Sequence, residues 1–264
     1  MIKGLLLPAF LALALPASAG AADMAALAAG ESRHVAKVID GDTVALHEPV
    51  EGAREVRLVG LQAPKLPLGR ANFPAWPLAE DSKRALEGLA LGRRVVLSYG
   101  GERMDRNRRR LAHLHLEDGT WIQGEMLKRG MARVYTFADN RTLAAEMLAL
   151  EGEARRARRG IWDDAFYAVR SVDRLAQDIG SFQLVEGRVL DAAKVKSRTY
   201  LNFGADWRSD FTASLDSRAL RLFARSGPDP LTLGGQVVRV RGWLRSLNGP
   251  LIDVTHPEQI EVLP

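Results

Sequence analysis

Two alternating segments, His34–Ile39 and Thr43–His47, meet at Asp40-Gly41-Asp42, and a third, Arg54–Leu61, follows closely. Runs of β-branched and apolar residues at every second position, joined through an Asp-Gly turn, commit this part of the chain to a strand meander. Along the third segment Val56 and Leu58 fall on one face, and Arg57, Val59 and Leu61 on the other. The turn also places two carboxylates at one loop tip in an arginine-rich chain. That is what a divalent metal needs beside a phosphodiester, and it is equally what an ordinary Asp-Gly hairpin looks like.

Downstream, Gln62 to Phe73 carries Pro64, Pro67 and Gly69 and reads as a loop. Pro77 suits the first turn of a helix with Leu78, Ala85, Leu86 and Leu89 on its stripe and Gly92 as its end. Strands are expected at 93–99, 111–116 and 131–137, a short helix at 122–129, and a long helix at 141–159 capped by Asn140 and stopped by Gly160. This half is α+β: a small curved sheet or barrel with helices. Phe166, Val169, Val172 and Leu175 suggest a linker helix over 165–180. From 181 to 264 five short strands, with a helix at 217–225 between the third and fourth, follow the order of a small all-β OB-type barrel. There is no internal sequence repeat.

Residues 1–21 read as a cleaved signal peptide. Lys3 precedes an apolar run from Leu5 to Leu15, and Pro16-Ala17-Ser18-Ala19 offers small residues for cleavage. The run is short for a membrane span, so an exported protein, periplasmic or secreted, with no transmembrane segment after cleavage is expected. The 264 residues contain no cysteine, which excludes zinc–thiolate sites, thiol nucleophiles and lipidation of the leader. A formal charge of +5 and a pI near 9.7 favour polyanionic partners, nucleic acid first. Oligomeric state is not encoded in any of these features.

Five arginines fall within the eight residues from Arg103 to Arg110. Such a loop repels itself unless an anion lies between the guanidinium groups, whose planar forks suit phosphate oxygens. Arg155, Arg156, Arg158 and Arg159 close a helix, where cations complement its dipole, and Glu151 can pair with Arg155. His113 and His115 share one strand face, either as metal ligands lacking a third partner or on an exposed sheet face. Tyr200, Phe203, Trp207, Arg208, Phe211 and Trp243 either fill the second barrel's core or form a stacking platform for single strands.

The order of these pieces resembles the staphylococcal nuclease (thermonuclease) family. The likeness rests on Val38 to Val44, on Val56 to Leu61 with Ala63-Pro64, and on Asp105-Arg106 with Arg109 to Ala112. It continues through Met126 to Val134 and a helix ending in Gly160-Ile161-Trp162. It covers residues 31–164 and implies a five-stranded OB-like barrel with three helices; residues 181–264 look like an appended OB-type module.

The resemblance also implies a calcium ion held by aspartates, a glutamate activating water, and two arginines on the phosphate. Asp42 then matches a metal aspartate with Asp40 beside it, and Arg57 and Arg109 match the catalytic arginines. Lys65, Arg106 and Arg108 would add phosphate contacts. Two positions depart from the pattern: Gln62 replaces a metal aspartate, offering only a neutral oxygen, and Lys65 stands at the general base. Calcium affinity should fall, and a protonated lysine cannot accept a proton. Three readings stay open: a binder of nucleic acid or another phosphodiester polyanion with little hydrolysis; a divergent metal-dependent phosphodiesterase, with Glu80 or Asp81 as base; and an envelope module working through protein contacts.

Overall fold

The computed structural model describes residues 24–264; the expected signal peptide lies outside them. Its first strand, β1 (Ala28–Asp40), is long enough to serve two neighbours. Its first half pairs antiparallel with β5 (Arg94–Tyr99), and its second half with β2 (Thr43–Val50). Antiparallel β3 (Ala53–Leu58) and β6 (Arg110–Leu116), which runs parallel to β3, complete a closed barrel in the order β1-β2-β3-β6-β5. Alternation does the sorting: Val35, Val38, Val44, Leu46, Val56, Leu58, Val95, Leu97, Ala112 and Leu114 fill the interior.

Three helices lie around this barrel: α1 (Ala79–Ala90), α2 (Ile122–Lys128) and α3 (Ala144–Arg156). α1 starts two residues later than Pro77 suggests, because Leu78 is left-handed and stands outside it. It turns Ala79, Ser82, Leu86 and Leu89 inward and carries Glu80 and Asp81 in its first turn, where carboxylates complement the dipole. A two-residue ladder joins β4 (Leu61–Gln62) to β7 (Arg133–Val134). The strand expected at 131–137 is therefore only this short pair. The long helix is also shorter than its periodicity suggests. Leu143, in a left-handed conformation, precedes it without a side-chain cap, while Asn140 donates to the Glu102 carbonyl at 2.7 Å and ties down the arginine loop instead.

The second region contains β8 (Arg170–Ser171), β9 (Phe182–Arg188), β10 (Asp191–Val195), β11 (Arg198–Asn202), β12 (Thr212–Leu215), α4 (Ser217–Ser226), β13 (Val237–Ser246), β14 (Pro250–Val254) and β15 (Ile260–Val262). Its strands form one eight-stranded sheet in the order β10-β11-β12-β14-β13-β9-β8, with β15 added to β13. β9 and β10 are consecutive and stand at opposite parts of this path. At the break between them, Val189 N–H donates to the Gln236 carbonyl at 2.9 Å and Leu190 N–H to Asn202 at 2.8 Å. One interrupted strand thus pairs with β13 on one side and β11 on the other, the same device as β1. The parallel pair β12–β14 repeats β3–β6, and each helix α1 and α4 lies between the third and fourth strands. Two OB-type barrels of one topology therefore sit in a chain whose sequence shows no repeat.

The linker helix expected at 165–180 is absent. Two 3-10 turns, Ala165–Tyr167 and Ala176–Asp178, flank β8, which pairs parallel with β9. The reason is visible in Arg170, whose guanidinium takes the carbonyls of Ala165, Phe166 and Ala168 that an α-helix would have used itself.

Candidate functional site

The Asp40-Gly41-Asp42 turn is wedged beneath α1. A Cβ at Gly41 would lie 1.9 Å from Ser82 Oγ and 2.7 Å from the Ala63 Cβ, so only glycine fits. Ser82 is anchored by donating to the Met131 carbonyl at 2.6 Å. The turn is consequently packed rather than exposed: Asp42 is 0% and Asp40 5% accessible.

Asp42 is the hub. Its Oδ1 faces Arg57 Nη1 at 3.1 Å and accepts from Thr43 Oγ1 at 3.2 Å. Its Oδ2 accepts from Ala63 N–H at 2.7 Å and from Lys65 Nζ at 2.6 Å. Lys65 Nζ also stands 3.6 Å from Asp40 Oδ2. Burial alone would raise the Asp42 pKa; Arg57 and then Lys65 outweigh it and hold the carboxyl well below the usual carboxylate range. Asp40 moves the other way, raised by burial and then by the Asp42 charge.

The remaining expected metal ligand is not available. Gln62 Oε1 accepts from Arg133 Nε at 2.8 Å, a buried bond. Among the described residues no three His, Asp or Glu side chains gather as metal ligands. The donors present therefore do not fit a calcium ion: an ammonium lies across the two aspartates, and the third oxygen serves a guanidinium. Nor does either alternative base reach this cluster by any bond: Glu80 is exposed, and Asp81 pairs with Arg84 at 2.5 Å on the solvent side of α1.

Arg57 is braced on the backbone, donating to the carbonyls of Asp42, Leu58 and Leu61. Leu111 is its partner on β6, and Arg109 lies just before that strand, in the arginine loop. Arg109 is held by Asp105, with Nε at 2.8 Å and Nη2 at 2.7 Å from Oδ2. Asp105 Oδ1 also accepts the N–H groups of Asn107 and Arg109, both at 2.9 Å, so one carboxylate shapes the whole loop. Arg106 and Arg108 project outward with no ion pair among the described residues. Thus the structure gathers Asp40, Asp42, Arg57 and Lys65 directly, joins Gln62 to Arg133, and presents Arg106 and Arg108 to solvent beside Arg109.

Other sequence candidates resolve differently. His113 and His115 lie on a covered face, not an exposed one: they are 1% and 8% accessible, and Trp121 Nε1 donates to His113 Nδ1 at 3.3 Å. Burial, then the neighbouring His115, pushes His113 down to about 3; burial pushes His115 down to about 4. Both are neutral side chains of the fold. Arg155 pairs with Glu151 at 3.0 Å as expected from their spacing.

Sequence reasoning missed a buried network between the barrels. Glu151, fully buried, accepts from Val134 N–H at 2.6 Å and from both terminal nitrogens of Arg241 at 3.1 and 2.9 Å. Arg241 also reaches Glu261. Arg133, pushed down to about 10 by burial, lies 4.7 Å from the Phe182 ring and completes the passage from this network to Gln62. No periodicity announces these pairs, because their partners lie far apart along the chain and, for Glu151–Arg241, on different domains.

The family model described as "Staphylococcal nuclease homologue" matches residues 55–164. An uncharacterized endonuclease of Escherichia coli O157:H7 is 29% identical over 131 residues, which is 50% of this chain and 76% of that protein. The thermonuclease of Staphylococcus intermedius is 29% identical over 134 residues, 51% of this chain and 77% of its own length. Protein ParB of Escherichia coli is 32% identical over 138 residues, 49% of this chain and 71% of ParB. This chain belongs to the staphylococcal nuclease family. The family-model match spans Arg57, Lys65 and Arg109 but begins after the Asp40–Asp42 turn. As a nuclease-family barrel it keeps the arginines that the sequence resemblance assigns to phosphate. At the positions assigned to a metal ligand and a general base it carries Gln62 and Lys65, each bonded within the protein.

Proposed function

We propose that this nuclease-family chain binds nucleic acid without the family's metal-dependent hydrolysis. The observation that carries this reading is the Lys65 ammonium seated 2.6 Å from Asp42 and 3.6 Å from Asp40. It supplies internally the positive charge that a divalent ion would bring, and it cannot act as a general base while protonated. The names of the relatives, endonucleases and a thermonuclease, support nucleic acid as the polyanion. Arg106, Arg108 and the Asp105-oriented Arg109 provide the outward guanidinium groups for its phosphates. Export to the periplasm or medium through residues 1–21 is part of the proposal, and the N-terminal residue of the protein recovered from the host envelope or medium tests it.

The deciding experiment uses the chain lacking residues 1–21. Binding of single-stranded DNA or RNA should weaken as salt rises, with a log–log slope of about −0.7 for each phosphate neutralised. Incubation with calcium, magnesium or manganese should release no EDTA-sensitive acid-soluble nucleotide. Salt-independent or absent binding overturns the binding reading; EDTA-sensitive release that Arg109→Ala abolishes establishes the phosphodiesterase instead.

A further inference from the structure

Most of the large aromatic side chains are covered, yet Phe137, Trp207 and Trp243 are 51%, 50% and 48% accessible. Large apolar side chains left half in water along one surface mark a contact site. Their placement is ordered. Trp207, Tyr200, Ala193, Leu247 and Leu251 line a groove of about 480 Å³ on the outer face of the second barrel. A second hollow of about 240 Å³ is lined by Tyr135, Phe137, Trp243, Arg245 and Asp253. Arg245 pairs across the sheet with Leu251, so the Arg245–Asp253 pair forms the ridge between the two hollows.

The track continues into the first barrel. Trp243 Nε1 donates to Tyr135 Oη at 2.9 Å, Tyr135 meets Phe137 edge-on at 4.8 Å, and Tyr135 N–H donates to the Gly60 carbonyl at 2.8 Å. Two residues beyond Gly60 is Gln62, in the strand that leads to Lys65. Phe203 and Phe211, by contrast, are core side chains, which separates the outward rings from the structural ones.

The charges beside the rings are mixed: Arg198, Arg208 and Arg245 stand with Asp191, Asp206 and Asp253. Arg198 and Arg245 share the single carboxylate of Asp253, at 3.5 and 2.5 Å. Arg208 Cζ lies 4.5 Å from the Trp207 ring centre. Exposed Lys196, in the turn after β10, has no ion pair among the described residues. The main groove itself is lined by one charged side chain, Asp191, and by no cation. Outward aromatic faces fit the base of an unpaired nucleotide, and the Arg208 guanidinium over Trp207 adds a second stacking plane; bases inside a duplex have no free face to offer.

We propose that the outward face of the second barrel, from Trp207 and Tyr200 across the Arg245 ridge to Trp243 and Phe137, holds unpaired bases of a single-stranded nucleic acid. This rests on the proposed nucleic-acid binding and assigns the second barrel its share in it: the arginine loop takes phosphates, and this track takes bases. The test uses the chain lacking residues 1–21 with three probes: a twenty-nucleotide oligothymidylate, an abasic strand of equal length, and a duplex of equal length. Trp207→Ala and Trp243→Ala should each weaken oligothymidylate binding on the order of tenfold while leaving the abasic strand unchanged. Trp207→Phe, which keeps a ring, should recover most of the loss. Arg106→Ala with Arg108→Ala should instead weaken all probes and flatten the salt dependence. Equal binding of oligothymidylate and abasic strand by the unmutated chain, or equal binding of the duplex, overturns the track while leaving phosphate binding standing. Failure to bind any probe, or selective binding of a neutral oligosaccharide instead, overturns both.

Discussion

Lys65 is one residue that decides what its neighbours can do. Two buried carboxylates held by a shared ammonium are stable because each has an opposite charge within reach. Lys65→Ala removes half of that compensation. Breaking a buried pair costs about 3–5 kcal/mol when the survivor is left alone. Here the loss should be smaller, because Arg57 still faces Asp42 and Lys65 is partly accessible. Addition of calcium should then raise the melting temperature of Lys65→Ala and leave the unmutated chain unmoved; thermal unfolding with and without the ion checks it. Lys65→Glu with Gln62→Asp goes further, and EDTA-sensitive nucleotide release from that double variant, above the level of the unmutated chain, would show that these two positions limit hydrolysis. For both variants, failure to gain a metal response would place the block in Arg133, which would still occupy the position 62 side chain.

At the scale of elements, the arginine loop and the Asp-Gly-Asp turn are shaped by packing and hydrogen bonding more than by charge. Asp105 accepts two backbone N–H groups and the Arg109 side chain. By net charge, Asp105→Ala should tighten polyanion binding. Because the loop loses the carboxylate that aims Arg109, we expect weaker binding, read by titration of a single strand at fixed salt. The turn gives a stability prediction. Gly41→Ala drives a methyl group into Ser82 and Ala63, so the urea midpoint should fall by the equivalent of about 1–3 kcal/mol, the usual cost of overpacking.

Across the whole molecule, the barrels are joined by charges withdrawn from water. Glu151→Ala leaves Arg241 buried with Glu261 as its remaining carboxylate, and should cost about 3–5 kcal/mol in urea unfolding. Histidine makes the same junction sensitive to acid. His256 Nε2 meets Thr136 Oγ1 at 2.8 Å across the domains, and burial pushes the ring down to about 4. His113 and His115 are depressed to about 3 and about 4. The unfolded chain binds these protons near pH 6.5 and the folded chain resists them, so stability declines as pH falls from about 6.5 toward 4. Asp42 and Glu261, held low by their cationic partners against burial, add a further loss below the ordinary carboxylate range. Urea midpoints measured between pH 7 and 4 should fall steadily, and His256→Gln should flatten the upper part of that slope.

The amino-acid sequence by itself determined the local features. Alternation located the barrel strands, Asp-Gly marked the turn, i,i+4 spacing paired Glu151 with Arg155, and ordered motifs identified the family and the altered positions 62 and 65. Local pattern reports which face of an element avoids water, not what covers it. The His113–His115 face was therefore ambiguous until Trp121 was found against it, and the 165–180 stripe looked helical until Arg170 took its carbonyls. Only the tertiary structure brought Lys65 onto Asp42, Arg133 onto Gln62 and Arg241 onto Glu151, partners far apart along the chain. It alone sorted the second barrel's aromatics into core and surface, because burial is a property of the closed sheet and not of any residue's neighbours in sequence.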